Sequence, residues 1–311
     1  MTIRRSTSFY DFLERFPNDA ACQQHVAAMR FGSMIECPHC CNGHRLHKTR
    51  KPRELYCPRC QVYISPTSGT FASHSKIPLW NWFYLLLLVA NRSTGLSVDY
   101  LARQLGISRL ASYRMLCLTR LHISKLEDRR PMGGLGVVVE IDETWLPNIL
   151  PSDVNNGSGA IVFGIASRGR VINKVIPDRR SETMIPLIQE NVLPTSIVVT
   201  DAHRSYNSLR SLGYRHIALN HKRGEWARDG LSMAHIESYW TSLKHFLRSH
   251  NRNVKHEILP LYLAEHTFRY NLHRQGENVF EALIAKFPTI DHSQLPMGAA
   301  PRNDRWSRRC G

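Results

Sequence analysis

Four cysteines stand in two pairs, Cys37-Pro-His-Cys40 and Cys57-Pro-Arg-Cys60, with sixteen residues between the pairs. Each CxxC turn can present two thiolates to one ion, and two such turns complete the tetrahedral sulfur shell that suits zinc. The polar stretch between them is too short to build a core. One structural Zn²⁺ per chain would therefore supply most of this module's folding energy. The alternatives are a redox dithiol or two accidental pairs. His39, His44 and His47 read as solvated or phosphate-facing residues, and Cys41 merely adjoins the site. Cys22, Cys117 and Cys310 have no partner at ligand spacing and read as buried or tail thiols.

A second set of residues capable of chemistry is acidic. Asp142 and Asp201 each follow a β-branched run, and Glu237 sits among Ile236, Tyr239, Trp240 and Leu243 on a helical pattern. Carboxylates brought to one spot repel one another unless divalent cations lie between them. Oxygen ligands with open positions suit two Mg²⁺ or Mn²⁺ ions, a device that can activate a nucleophile and stabilise a leaving 3′ oxygen. Plainer roles remain open: a strand-end turn former for Asp142, an N-cap of a helix over 204–212 for Asp201, and a solvated helix glutamate for Glu237. Glu140 shares a strand face with Asp142 and is the candidate to support it, whereas Glu143 points to the opposite face.

The elements that must hold these acids follow from periodicity. Strands are predicted over 137–141, 160–166 and 171–176, the last two joined by the tight turn 167–170. A helix then starts at Ser181, a strand covers 197–200, a fifth short strand covers 216–219, and a helix spans 232–248. A three-strand meander followed by alternating helix and strand describes a ribonuclease-H-like α/β domain. In it the first and fourth strands are neighbours, so Asp142 and Asp201 come side by side.

Upstream, Asn18 or Asp19 can cap a helix carrying Cys22, Val26 and Met29. Pro78 opens an apolar helix through Trp80, Phe83, Leu87 and Ala90. Residues 97–120 read as an all-α helix-turn-helix: Ser97 caps the first helix, Gly106 makes the turn and Ser108 caps the second. That second helix would turn Arg109, Ser112, Tyr113 and Arg120 toward a DNA groove, with Leu110, Met115 and Leu118 packed inward. A plain helical hairpin is the alternative. The organisation expected is thus multidomain: an N-terminal helical segment (1–34), a zinc ribbon (35–72), the helix-turn-helix region (76–130), the α/β domain (135–290) and a flexible basic tail (291–311).

The chain of 311 residues carries 41 Lys+Arg against 25 Asp+Glu, a net charge of +16, which favours a polyanionic partner. Its longest apolar run, 79–90, is too short to span a bilayer, and the N-terminus has no apolar signal core. A cytoplasmic, nucleoid-associated protein without membrane contact is expected.

Taken in order, Ala21-Cys22, the two CxxC pairs, the helix-turn-helix, VEIDETW (139–145), VVTDAHRSY (198–206), HIESYWTSLK (235–244) and FRYN (268–271) resemble a known group. They look like bacterial insertion-sequence transposases with an N-terminal zinc ribbon and an ISXO-type DDE domain. The resemblance covers residues 10–275. It implies that Asp142, Asp201 and Glu237 are the catalytic triad, with thirty-five residues between the last two. Lys244, two helical turns beyond Glu237, falls where many such enzymes place a basic residue on the element end. His235 stands where relatives commonly have Asn, with packing, DNA contact or metal binding all open to it. Trp145 replaces a frequent Tyr. The implied activity is binding of double-stranded DNA at terminal inverted repeats, metal-dependent cleavage, and strand transfer to target DNA, by a homo-oligomer assembled on DNA. The rival readings are a metal-dependent nuclease of the same fold and a catalytically idle DNA-binding regulator.

Overall fold

The computed structural model describes residues 6–40, 44–51, 53–92, 94–147, 159–248 and 254–295. Two compact units emerge. Of the described residues, the first takes those within 6–92, 96–126 and 278–295, the second chiefly those within 127–277.

The first unit begins with helices α1 (Phe9–Arg15), closed by a Ser8/Asp11 capping box, and α2 (Asp19–Phe31), capped by Asn18. Cys22, Val26 and Ala27 form the buried stripe of α2, while Met29 is exposed instead of packed. A three-stranded antiparallel ribbon follows, β1 (His47–Lys48), β2 (Leu55–Cys57) and β3 (Val62–Ile64). Leu46, Leu55, Cys37 and Cys57 pack with Ala27 and Phe31 of α2, so the ribbon borrows a small core from the helix before it.

The apolar run becomes helix α3 (Leu79–Asn91), introduced by Pro78 and almost wholly buried. Helices α4 (Val98–Leu105) and α5 (Arg109–Ser124) form the expected pair. Ser97 and Ser108 accept the capping amides, and Gly106 takes a left-handed φ of 62° between the helices.

The second unit is a mixed sheet with helices on both faces. Its strands and helices run β4 (Met132–Gly133), β5 (Val138–Pro147), β6 (Gly159–Ser167), β7 (Arg170–Ile176), α6 (Ser181–Asn191), β8 (Val192–Leu193), β9 (Ile197–Asp201), β10 (Arg215–Leu219), β11 (Ala227–Arg228), β12 (Leu231–Ser232), α7 (Ala234–Arg248) and α8 (Leu259–Gln275). The five-stranded sheet has the order β10-β9-β5-β6-β7, with β5, β6 and β7 antiparallel and β9 and β10 parallel to β5. The first and fourth long strands are therefore neighbours, as the element order requires. Alternation along β5 splits the core: Val139 and Ile141 pack with Met184 and Ile188 of α6, while Leu146 joins Ile236, Tyr239 and Leu243 of α7. Edge strand β7 is closed by Asn271 of α8, whose side chain accepts from the Val171 amide at 2.8 Å and donates to its carbonyl at 2.9 Å.

Several expectations need correction. Strand β5 runs five residues past Asp142, to Pro147, because Thr144 and Leu146 continue its buried alternation against β6. The segment after Asp201 is a 3₁₀ helix, Arg204–Leu209, capped by His203 rather than by Asp201. The second unit ends at Glu277, not at residue 290: helix α9 (Val279–Ile284) belongs to the first unit, where Phe280 meets Phe12 and Phe16 and Arg15 pairs with Glu281 at 2.7 Å. The tail beyond 295, Cys41 and Cys310 lie outside the described residues. Among those described, no helix is long and apolar enough to cross a membrane.

Because α9 completes an aromatic core far from it in sequence, Phe280→Ala should cost the first unit about 3–5 kcal/mol. Hydrogen exchange read by mass spectrometry should then show lost protection in α1, α3 and α9, with β5 and β9 unchanged.

Candidate functional site

The strongest ligand cluster among the described residues is the cysteine quartet. The sulfurs of Cys37, Cys40, Cys57 and Cys60 all lie within 4.8 Å of one another, with Cys40 at 2.9 Å from Cys60 and 3.5 Å from Cys57. Four sulfurs around zinc would sit about 3.8 Å apart, given a zinc–sulfur bond of about 2.3 Å. The arrangement therefore fits one tetrahedral ion. The Cys60 amide heads the causes that draw the Cys57 thiol down to about 7, whereas its hydrogen bond to Cys60 holds Cys40 up. Ladder pairs place His47, Tyr56 and Tyr63 across the three ribbon strands on the face away from Leu55 and Cys57.

The acids occupy the second unit. Register pairs Glu140 of β5 with Val199 of β9, so Asp142 and Asp201, each two residues further on, sit abreast on adjacent parallel strands. Asp142 faces α7, where the indole N–H of Trp240 donates to its Oδ2 at 2.9 Å. Gly164 lies directly across from Asp142 on β6, and a Cβ there would stand 2.7 Å from the Trp240 ring. Only glycine leaves room for that indole, so a glycine inside the β6 run was the sequence signal of the close approach. Burial first, and then the charge of Glu143, push the Asp142 carboxyl up to about 7, with Asp201 adding to the effect.

Glu140, which shares a strand face with Asp142, spends its carboxylate on backbone amides of α7. Its Oε2 accepts the Ile236 amide at 2.9 Å, and the His235 amide also stabilises its charge. These are free amides of the first turn of α7, so a strand carboxylate caps the helix that carries Glu237. Glu237 itself is exposed on that turn, and its charge acts on Glu140. The three acids do not form a cluster as tight as that of the cysteines. Glu143, on the other face, is held by the Tyr206 hydroxyl at 2.5 Å and by Arg179 at 3.5 Å. Residue types alone had not singled out Tyr206 and Arg179. Asp201 Oδ1 accepts the His203 amide at 2.9 Å.

The remaining residues separate. His235 stacks on Tyr270 of α8 with centroids 6.1 Å apart, and burial and Arg274 lower its pKa, the behaviour of a packed neutral ring. Lys244 is half-buried on α7. In the first unit, Arg109 is exposed and pairs with Asp99 at 2.7 Å, and Tyr113 is half-buried. Ser112 cannot face a groove: it is 0 % exposed and its hydroxyl donates to the Ser108 carbonyl one turn back. Arg120 is likewise buried, and Leu110 points outward, 69 % exposed. Met115 and Leu118 are buried as expected, but so is every side chain from Met115 to Ile123, so the second half of α5 lies inside the unit and only its start presents an open face.

A raised carboxylate pKa stabilises the fold only while the group is protonated. That contribution is present below the ordinary carboxylate range and is lost as pH rises through about 7. In metal-free buffer Asp142→Asn, which keeps an acceptor for Trp240, should raise the melting temperature at about pH 8.5 and give a smaller gain near pH 5. Thermal scans at the two pH values, one on each side of the shifted pKa, check this.

Residues 133–271 match the ISXO2-like transposase domain family. An uncharacterized transposase-like protein of Haemophilus influenzae is 34% identical over 102 residues, covering 33% of this chain and 81% of that protein. An uncharacterized protein in transposable element ISH50 of Halobacterium salinarum is 24% identical over 295 residues, covering 88% of this chain and 98% of the relative. Among solved structures, a pre-cleavage Mos1 transpososome aligns over 69% of this chain and 79% of its own, at 13% identity and a TM-score of 0.28. With the match spanning both strand acids and the helix of Glu237, the chain belongs to the insertion-sequence transposases that carry an ISXO2-like domain.

Proposed function

We propose that this chain is a DNA transposase of the DDE type, which binds the terminal inverted repeats of its element, cleaves the DNA and joins the freed ends to target DNA. The observation that carries the reading is the pair Asp142 and Asp201 abreast on central strands, under a helix whose first turn bears Glu237. The sheet order supports a ribonuclease-H-like catalytic domain. Asp142, Asp201 and Glu237 are the catalytic acids and would hold two Mg²⁺ or Mn²⁺ ions, whose charge neutralises the scissile phosphate during hydrolysis and transesterification. Burial, and after it the charges of Glu143 and Asp201, raise the Asp142 pKa, and a cation beside that carboxylate would relieve the charge part of this cost.

The chain's own residues do the positioning. Trp240 and the Glu143 amide orient the Asp142 carboxylate, and the His203 amide orients Asp201. Glu140 holds the first turn of α7 to the sheet and so sets where Glu237 stands. Lys244 faces the element end from two turns along the same helix. Arg109 and Tyr113 at the start of α5 contact DNA in the first unit, without Ser112. The cysteine quartet holds one structural zinc. The assembly is a homo-oligomer on DNA, and the protein is cytoplasmic and nucleoid-associated.

Purified protein, pre-cut inverted-repeat ends taken from DNA flanking the gene, and a plasmid target test the reading. Joined product in Mg²⁺ is expected. Asp142→Asn, Asp201→Asn and Glu237→Gln should each reduce joining by at least about a thousandfold while leaving end binding equal or tighter, since less negative charge faces the phosphates. Hydrolysis without joining would identify a nuclease instead, and binding without either reaction a regulator.

Elemental analysis should find one zinc per folded chain. Cys57→Ser should lose it and unfold the ribbon while the second unit keeps its thermal transition.

A further inference from the structure

Between β10 and α7 the chain makes an exposed hairpin that none of the roles above uses. Strands β11 and β12 are joined by Asp229 and Gly230, both at positive φ (53° and 75°), the two-residue turn whose twist suits a hairpin. Glu225 braces its root, accepting the Asn220 amide at 3.2 Å and Nε and Nη2 of Arg228 at 2.6 and 2.8 Å. At this braced root stands Trp226, 63 % exposed. Its indole lies nearly parallel to the His221 ring, 25° between planes and 4.6 Å between centroids. His221 thus backs one face of the indole, while the other is open to a second flat ring. Lys222 and Arg223 are exposed beside it.

We propose that Trp226 is a stacking site for one unpaired nucleobase of the DNA strand, with Lys222 and Arg223 on the flanking phosphates. A supported aromatic face with cations alongside is the chemistry that binds single strands without reading sequence. Bases within a duplex present no face to such a ring, so the occupant is a nucleotide at a strand end or one freed from its partner. The roots of the hairpin say which part of the strand it is. One root leaves Leu219, paired in register with Asp201, and the other enters the first turn of α7 beside Glu237. The stacked base therefore belongs within a few nucleotides of the phosphate held at the acids. This assignment rests on the transposase reading for the identity of that phosphate.

The test uses the full-length chain without turnover, in Ca²⁺. Fluorescence anisotropy compares binding of a labelled oligodeoxythymidylate and of a labelled duplex by the parent, Trp226→Ala and Trp226→Phe. Trp226→Ala should weaken oligodeoxythymidylate binding about tenfold, Trp226→Phe should recover most of it, and duplex binding should stay within about twofold. The melting temperature should not move, because the side chain is exposed. A 2-aminopurine placed at the terminal nucleotide of an element end should be quenched by the parent and not by Trp226→Ala. Parent protein that binds no oligodeoxythymidylate, an alanine variant that binds it as the parent does, or an equal loss on oligonucleotide and duplex would each overturn the assignment. Failure of the parent to join ends, with quenching intact, would sink the transposase reading and leave the stacking site standing.

Discussion

The geometry of the second unit depends on one contact, the carboxylate of Glu140 accepting amides from the first turn of α7. A helix start presents free amides and a partial positive charge, and a half-buried carboxylate needs both. Each satisfies the other, and the result is a fixed distance between the central strand and the helix. Two residues along the strand, Asp142 takes the Trp240 indole N–H, and across from it Gly164 makes space for that ring. Three residues of the sheet thus locate a helix that supplies the third acid. The lock is local, and the position of Glu237 follows from it without any long loop.

The opposite face of β5 solves a different problem. Glu143 would be a bare charge in the core, yet Tyr206 and Arg179 meet its two oxygens. Its charge is nevertheless felt through the strand by Asp142. Two adjacent carboxylates on opposite faces therefore have opposite fates: Glu143 is met by a hydroxyl and a guanidinium, and Asp142 has no cation among its described partners and a raised pKa.

Much of this was legible in the sequence because it is periodic or local. The five strands, α6, α7, the Ser97 and Ser108 caps and the Gly106 turn all announce themselves through alternation, turn chemistry or capping residues. The acids were legible by type and by their place after apolar runs. What was hidden depends on contacts distant in sequence. Nothing local ties Tyr206 to Glu143, 63 positions away, until the fold brings the two together. Ser112 is polar and sits near a helix start, but its hydroxyl satisfies itself on the Ser108 carbonyl, so polarity misreported its face. Helix α9 carries a clear apolar stripe, but no sequence pattern says that its partners are Phe12 and Phe16 rather than the preceding sheet. In the ribbon, spacing alone located all four sulfurs, since two CxxC turns carry their own geometry.

The closure of β7 by Asn271 has a consequence for synthesis. The polar groups that Asn271 satisfies on Val171 lie one hundred residues upstream. During translation at about 5–20 residues per second, the nascent chain presents that edge for roughly 5–20 s before its partner is made. The sequence there, Arg-Val-Ile-Asn-Lys-Val-Ile, is β-prone and would pair with a neighbouring nascent chain were it uncharged. Arg170 and Lys174 interrupt it with positive charge, the usual guard of an exposed strand. The edge is thus protected twice in sequence of time, by repulsion while the chain is being made and by an amide side chain once α8 has docked.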